Sequence, residues 1–276
     1  EICACLVGSE MCIRDSEFLE QQFGVKWDWD AFWKNAEMYN DTSRCMVEKW
    51  DVNCTDHPQV CGAALALQRE YEFMAAACMD KFMHKTDLRV TKMMLKGYEQ
   101  DKAANAPQPK YRCLVWACPA HYYTNFTYWT QHCWGVTCVN DMEAMLSYLP
   151  ITIGDKEQAL ADLARCYEKM MMRSHTNGGY VNLLDECWKM CEKFHTNIVI
   201  MYDHVSCKNV GGLHGLFEDQ ARERGIHLIW IPHDVMDPRT VSRREMREAF
   251  SQYMVTVLNE KPLDPTLLDY EDALSW

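Results

Sequence analysis

The chain has 276 residues, of which 48% are apolar and 25% are charged, as is typical of a globular protein with one large or two modest domains. Its formal net charge of −12 argues against a nucleic-acid partner, because a nucleic-acid surface needs clustered lysines and arginines. The sequence shows no signal peptide and no long uncharged apolar segment, which predicts a cytoplasmic protein with no membrane partner.

The cysteine content is unusual for a chain of this size. It has 15 cysteines and 18 methionines, but it lacks the spacing of a secreted disulfide framework and contains no Cys-x-x-Cys pair. The lack of a disulfide framework favours a reducing compartment. The many cysteines and methionines would suit an oxygen-poor cell, in which thiol oxidation is a small risk.

Residues 1–16 are predicted to be a non-native leader. Residues 5–16, CLVGSEMCIRDS, resemble a translated sequencing-adapter read and have neither helix nor strand periodicity. The alternative is a short disordered native leader. The fold prediction therefore begins at Glu17, and we expect the native amino terminus to be missing.

Residues 17–107 are predicted to form a helical region. Apolar side chains recur every three or four residues after Trp27, and Asp28 or Asp30 is suited to cap the helix. A second helix is expected to begin near Asp56, with Pro58 in its first turn, and to run to Cys78. A third is expected over residues 85–103. Cysteines in this region are predicted to lie in the core: Cys45, Cys61 and Cys78.

Residues 108–261 are predicted to form an α/β domain, with a boundary at the proline-containing segment 106–109. Short apolar runs alternating with amphipathic segments predict a mainly parallel four-stranded sheet of the Rossmann-like or flavodoxin-like class. The predicted strands are residues 111–116, 136–139, 198–202 and 226–231. The predicted helices are residues 123–134, 155–172, 181–194, 211–224 and 243–258, with a loop at 174–179. Residues 262–276 are an acidic carboxyl-terminal tail.

Three cysteines in this domain raise the question of metal binding. Cys187 and Cys191 share one face of a predicted helix, where core packing is favoured over a metal site because apolar residues surround them. Cys207 lies instead in a polar turn just past the third strand, where open α/β sheets place their ligands. The helix predicted after it, together with Lys208 and His204, favours a thiolate, and thiolates bind iron-sulfur clusters.

The segment after the fourth strand is predicted to close the domain. Asp234 follows that strand, and Asp237 to Arg239 form a turn. Ser242 and Glu245 have the spacing of a capping box at the start of the last helix.

An ordered set of short motifs resembles the 2-hydroxyacyl-CoA dehydratase D-component family, which includes benzoyl-CoA reductase subunits. The set comprises Ser206-Cys207-Lys208 after an apolar strand, Gly225-Ile226 before the next strand, and Asp237-Pro238-Arg239 followed by Ser242 and a helix. The resemblance covers about residues 18–258. The family usually has a proline-rich turn after the first strand, and this chain keeps only Pro119 of it.

The resemblance implies a cofactor and a set of site residues. Cys207 matches the last of three cysteines that bind a four-iron four-sulfur cluster, the other two lying in an amino-terminal α/β domain that we expect to be missing here. No catalytic residue is implied. The residues expected to line the substrate site are Pro119, His204, Ser206, Lys208 and Asp234.

The resemblance also implies an activity and partners. We expect a subunit of an oxygen-sensitive lyase that removes water from an (R)-2-hydroxyacyl-CoA through a ketyl radical, giving a 2-enoyl-CoA. Its expected partners are a related sister subunit in a heterodimer and an ATP-dependent iron-sulfur activator protein. The alternatives are a subunit of a benzoyl-CoA-type reductase and a non-catalytic electron-relay subunit.

Overall fold

The structure is a computed structural model that describes residues 14–69, 81–144, 149–169 and 171–269. Four helices precede the sheet in these residues: α1 (residues 14–23), α2 (Trp29–Asn53), α3 (residues 63–69) and α4 (Lys81–Ala103). Asp28 caps α2 by accepting a hydrogen bond from the backbone N–H of Ala31 at 2.9 Å, which confirms one of the two predicted caps. Residues 14–16 of the predicted leader belong to α1, and residues 1–13 lie outside the described residues.

The second predicted helix begins later than expected. Residues 54–62 are non-helical, and α3 begins at residue 63, so Pro58 is not in a first helical turn. The buried Asn53 side chain explains the difference, because its Oδ1 accepts from the N–H groups of Gln59 and Val60, both at 3.0 Å. Its Nδ2 donates to the carbonyl of Val60 at 2.7 Å, so the loop is fixed in place of a helical turn. Cys78, at the predicted end of this helix, lies outside the described residues.

Four parallel strands form one sheet, as predicted. They are β1 (Tyr111–Trp116), β2 (Val136–Asp141), β3 (Ile198–His204) and β4 (His227–His233), in the order β2-β1-β3-β4. This order is the beginning of the flavodoxin-like arrangement, and it confirms the α/β class. β3 and β4 run in register as far as His204 beside His233.

Six further helices connect or cover the strands in the described residues. They are α5 (Phe126–Trp134), α6 (Lys156–Lys169), α7 (Met171–Lys193), α8 (Lys208–Gly211), α9 (His214–Arg224) and α10 (Arg243–Thr256). The loop predicted at residues 174–179 is wrong, because α7 runs through it with a single non-helical residue, Gly179, at φ 71°. The helix predicted to begin at residue 211 is also divided, into α8 and α9.

One hydrophobic core joins the sheet to the preceding helices. It contains Leu114 and Ile200 from the strands together with Trp50 of α2 and Leu65 of α3. Cys187 and Cys191 are buried in the same core, as predicted. Of the helices in the described part of the chain, none combines the length and apolar character that crossing a membrane requires.

Candidate functional site

The carboxyl edge of the sheet brings four loops together. Because all the strands are parallel, the segments after β1, β2, β3 and β4 leave at the same edge. The chain order reverses between β1 and β3, so the crevice outside these two strands is the topological switch point at which open α/β sheets bind ligands. The hydrogen bond from the His121 N–H to the Val235 carbonyl, at 3.0 Å, ties the loop after β1 to the loop after β4.

The turn after β3 holds four of the predicted site residues together. Ser206 donates from its backbone N–H to His204 Nδ1 at 3.1 Å, and its hydroxyl lies 3.0 Å from the same atom. A backbone N–H can only donate, so His204 Nδ1 is an acceptor and the ring proton is on Nε2 when the imidazole is neutral. The ring of His204 is thereby held at the edge of the sheet.

Cys207 is the residue immediately before α8. Its backbone N–H donates to the His204 carbonyl at 2.9 Å, and its side chain is partly exposed and makes no capping hydrogen bond. The following Lys208 is exposed. Because α8 has only four residues, the helix that was expected to favour the thiolate is shorter than predicted.

His233, at the end of β4, is a buried group that the sequence analysis did not nominate. Its side chain is fully buried, and its ring lies 5.0 Å from that of Tyr202 and 5.5 Å from that of His204. Neither ring nitrogen makes a hydrogen bond of normal geometry within the described residues. Burial lowers the pKa of His233 from 6.5 to about 4, and the nearby His204 contributes to the shift. His233 is therefore neutral at pH 7.

Asp234 is occupied by its own turn. Its Oδ1 accepts hydrogen bonds from the backbone N–H groups of Met236 at 2.9 Å and Asp237 at 2.8 Å. These bonds lower the pKa of the Asp234 carboxyl group. The next turn is closed by Arg239, which makes a two-pronged contact with the Asp237 carboxylate. Asp234 thus shapes the loop after β4, and its predicted role in lining a substrate site stays a prediction.

The loop after β1 begins with a left-handed residue. Ala117 has φ 64° and turns the chain sharply at the end of the strand. Pro119 follows and is buried. The turn brings Cys118 Sγ to 3.8 Å from His121 Nε2.

Cys118 and His121 lie beside Glu143, in the short 3₁₀ helix Met142–Ala144 that follows β2. One ligand atom from each of these three residues lies within 4.8 Å of the other two. The pKa values of the Cys118 thiol and the Glu143 carboxyl group are both raised, mainly because the two groups are buried. Within the described part of the chain, Cys118, His121 and Glu143 are thus close enough together to bind one metal ion. Cys207 does not belong to this group.

A buried ion pair supports this corner of the site. Arg69 Nη1 donates to Asp141 Oδ2 at 2.8 Å, and both side chains are at most 3% exposed. Asp141 Oδ1 accepts from the Glu143 backbone N–H at 2.9 Å, and Arg69 Nε lies 3.8 Å from Glu143 Oε2. Asp141 therefore both neutralises Arg69 and fixes the backbone of Glu143.

The predicted site residues are thus divided among three loops of one edge. His204, Ser206, Cys207 and Lys208 share a turn, whereas Pro119 and Asp234 belong to the two loops joined by the His121–Val235 hydrogen bond. The sequence analysis missed six polar residues around them: Arg69, Cys118, His121, Asp141, Glu143 and His233. The Cys-x-x-His spacing could have indicated Cys118 and His121, and the acidic residues near the end of β2 could have indicated Asp141 and Glu143.

The parallel sheet with its switch-point edge defines an α/β protein that is suited to bind a ligand between β1 and β3. The model of the 2-hydroxyglutaryl-CoA dehydratase D-component family matches residues 10–254. The chain therefore belongs to this family, which supports a component of a 2-hydroxyacyl-CoA dehydratase in general. A search among curated proteins gave no match.

Proposed function

We propose that the chain is a subunit of a cytoplasmic, oxygen-sensitive iron-sulfur enzyme that converts an (R)-2-hydroxyacyl-CoA into a 2-enoyl-CoA. The observation that carries the proposal is the position of Cys207, partly exposed at the switch-point edge, in a chain that belongs to a dehydratase-component family. The partners in this proposal are a related sister subunit and an ATP-dependent iron-sulfur activator protein.

The site fits one ligand of a four-iron four-sulfur cluster. Cys207 offers a thiol without a side-chain capping bond, but no group of three ligand atoms in the described residues includes it. The remaining ligands in the proposal are two cysteines from an amino-terminal domain that the described residues do not contain. When bound, the cluster supplies an electron and a Lewis-acidic iron for an oxygen of the substrate.

The chemistry explains why such a reaction needs an electron. The hydroxyl on the α carbon is a poor leaving group, and the proton on the β carbon is not acidic. One electron added to the thioester carbonyl gives a ketyl radical anion, which expels the hydroxyl and acidifies the β proton. After loss of the proton, the electron is returned, so dehydration has no net redox change.

The residues around Cys207 are proposed to bind and orient the acyl-CoA. Lys208 presents an exposed ammonium group, and Ser206 a hydroxyl that is fixed near His204. The Nε2 proton of neutral His204 is a further donor, since Nδ1 accepts from Ser206. Pro119 and Asp234 shape the loops on either side.

The first test is the source locus. The proposal expects the reading frame to continue upstream of the codon for Glu17 with two further cysteines, beside genes for a sister subunit and an iron-sulfur ATPase. A native start near Glu17 without such neighbours would remove the basis for the cluster.

The second test compares variants of the anaerobically coexpressed complex. We expect Cys207→Ala to lose the iron of one cluster together with enoyl-CoA formation, whereas Cys166→Ser, which changes a cysteine of α6, keeps both. Full iron in Cys207→Ala would contradict the ligand assignment. Electron stoichiometry separates a dehydratase from a reductase, because only the reductase consumes electrons overall. The spectrum of the cluster identifies a relay subunit, because substrate does not change it there.

A further inference from the structure

We propose that Cys118, His121 and Glu143 form a mononuclear site for Zn²⁺ or a similar divalent transition-metal ion. This site goes beyond the proposed cluster, because Cys207 is not among its ligands. A thiol, an imidazole and a carboxylate are the three ligand types that Zn²⁺ accepts, whereas Mg²⁺ and Ca²⁺ prefer oxygen ligands throughout. Three protein ligands leave a fourth position open, as in catalytic rather than structural zinc sites.

The distances are close to those of a tetrahedral site. With Zn–S of about 2.3 Å and Zn–N of about 2.0 Å, tetrahedral angles place the sulfur and nitrogen about 3.5 Å apart. Cys118 Sγ and His121 Nε2 are 3.8 Å apart. The ligand atoms of all three residues lie within 4.8 Å of one another, so small side-chain movements bring Glu143 into the same shell.

The local backbone holds the ligands in place. The left-handed Ala117 starts a turn in which Cys118 and His121 are three residues apart, and the His121 N–H is fixed by the Val235 carbonyl at 3.0 Å. The Glu143 N–H is fixed by Asp141, which is itself bound to Arg69. These hydrogen bonds fix the backbone positions from which the His121 and Glu143 side chains extend.

Glu143 provides an independent indication of a missing partner. Its side chain is only 7% exposed, and its buried Oε2 makes no hydrogen bond of normal geometry within the described residues, although the Cys118 thiol interacts with the carboxyl group. Arg69 Nε is 3.8 Å from this atom, too far for a hydrogen bond, and its guanidinium is already paired with Asp141. A buried carboxylate oxygen without a donor is costly, and a bound cation would satisfy it.

The charges balance when the ion is present. A divalent ion with the Cys118 thiolate and the Glu143 carboxylate is neutral, and Asp141 balances Arg69. Because cysteine binds a metal ion as the thiolate, binding of the ion releases the Cys118 proton, and the affinity increases with pH.

The test uses the full 276-residue chain, purified with a phosphine reductant, with Co²⁺ and Zn²⁺ as probes. We expect Co²⁺ to produce a thiolate-to-metal charge-transfer band and Zn²⁺ to abolish it by competition. Because loss of a supporting hydrogen bond alone weakens metal sites about 10- to 100-fold, Cys118→Ser and His121→Gln should weaken Zn²⁺ binding by at least about 100-fold. Cys166→Ser and Cys207→Ser are the matched thiol controls and should keep both the band and the affinity.

The variants also separate specific binding from binding to other thiols. Circular dichroism of each metal-free variant verifies its fold. If Cys118→Ser does not fold, the Zn²⁺ affinity of His121→Gln decides the test. The proposal is overturned if no thiolate band forms, or if Cys118→Ser and His121→Gln bind Zn²⁺ as tightly as the unchanged chain. It is also overturned if Cys207→Ser removes the band.

Discussion

Replacing His233 by leucine is expected to remove a large part of the acid sensitivity of this protein. His233 is fully buried, and burial lowers its pKa in the folded chain to about 4, whereas its ordinary value is 6.5. Below pH 6.5 the unfolded chain binds a proton that the folded chain does not. The free energy of unfolding therefore falls as the pH decreases from about 6.5 to about 4.

The size of this effect follows from the shift. At 1.36 kcal/mol per pKa unit, a difference of about 2.5 units corresponds to about 3 kcal/mol. At pH 8, where histidine is neutral in both states, His233→Leu should change stability by less than about 1 kcal/mol, because neither ring nitrogen makes a regular hydrogen bond to any residue that the structure describes. Below about pH 6.5 the variant should become progressively more stable than the unchanged chain.

The assay is urea unfolding of both proteins at a series of pH values between 8 and about 4. Carboxyl groups also titrate in this range, so the informative quantity is the difference between the two stability curves. The control is His132→Gln, which changes an exposed histidine. Its curve of unfolding free energy against pH should be parallel to that of the unchanged chain. If the curve for His233→Leu is also parallel to within about 0.5 kcal/mol, the reasoning from burial is refuted.

Three further predictions concern stability and cofactor content. Arg69→Met leaves the buried Asp141 carboxylate without its partner and should cost about 3–5 kcal/mol in urea unfolding, whereas Arg222→Met, at an exposed pair, should cost less than about 1 kcal/mol. Ser242→Ala removes the cap of α10 and should cost about 1 kcal/mol; an unchanged unfolding midpoint would contradict this. The chain expressed alone and analysed anaerobically should contain no stoichiometric iron, and a full cluster would contradict the assignment of Cys207.

The sheet was predictable because its strands are short apolar runs between turn signals. β1 was predicted with its observed bounds, and the other three strands were placed within two residues at each end. The capping box at Ser242 was also predicted, and both of its hydrogen bonds are present. These features are local, so the order of residues along the chain contains the necessary information.

The errors occurred where distant contacts override local pattern. Asn53 fixes the loop before α3 through hydrogen bonds that also reach the Val139 carbonyl of β2 at 2.8 Å. A proline near the start of an apolar stretch suggests a helix, but it carries no information about such a partner. In α7, the glycine and polar residues that suggested a loop are helical except at Gly179. Helix propensity is a weak indication where tertiary packing decides.

Two of the missed site residues, Asp141 and His233, follow from an underestimate of strand length. β2, β3 and β4 each continue two residues beyond their apolar runs, and these extensions include Asp141, His204 and His233. Polar residues end an apolar run in the sequence, but in the structure Arg69 neutralises Asp141, so the strand can continue into a buried edge. Buried polar residues at the carboxyl ends of strands, such as Asp141 and His233, are therefore difficult to assign from the sequence pattern.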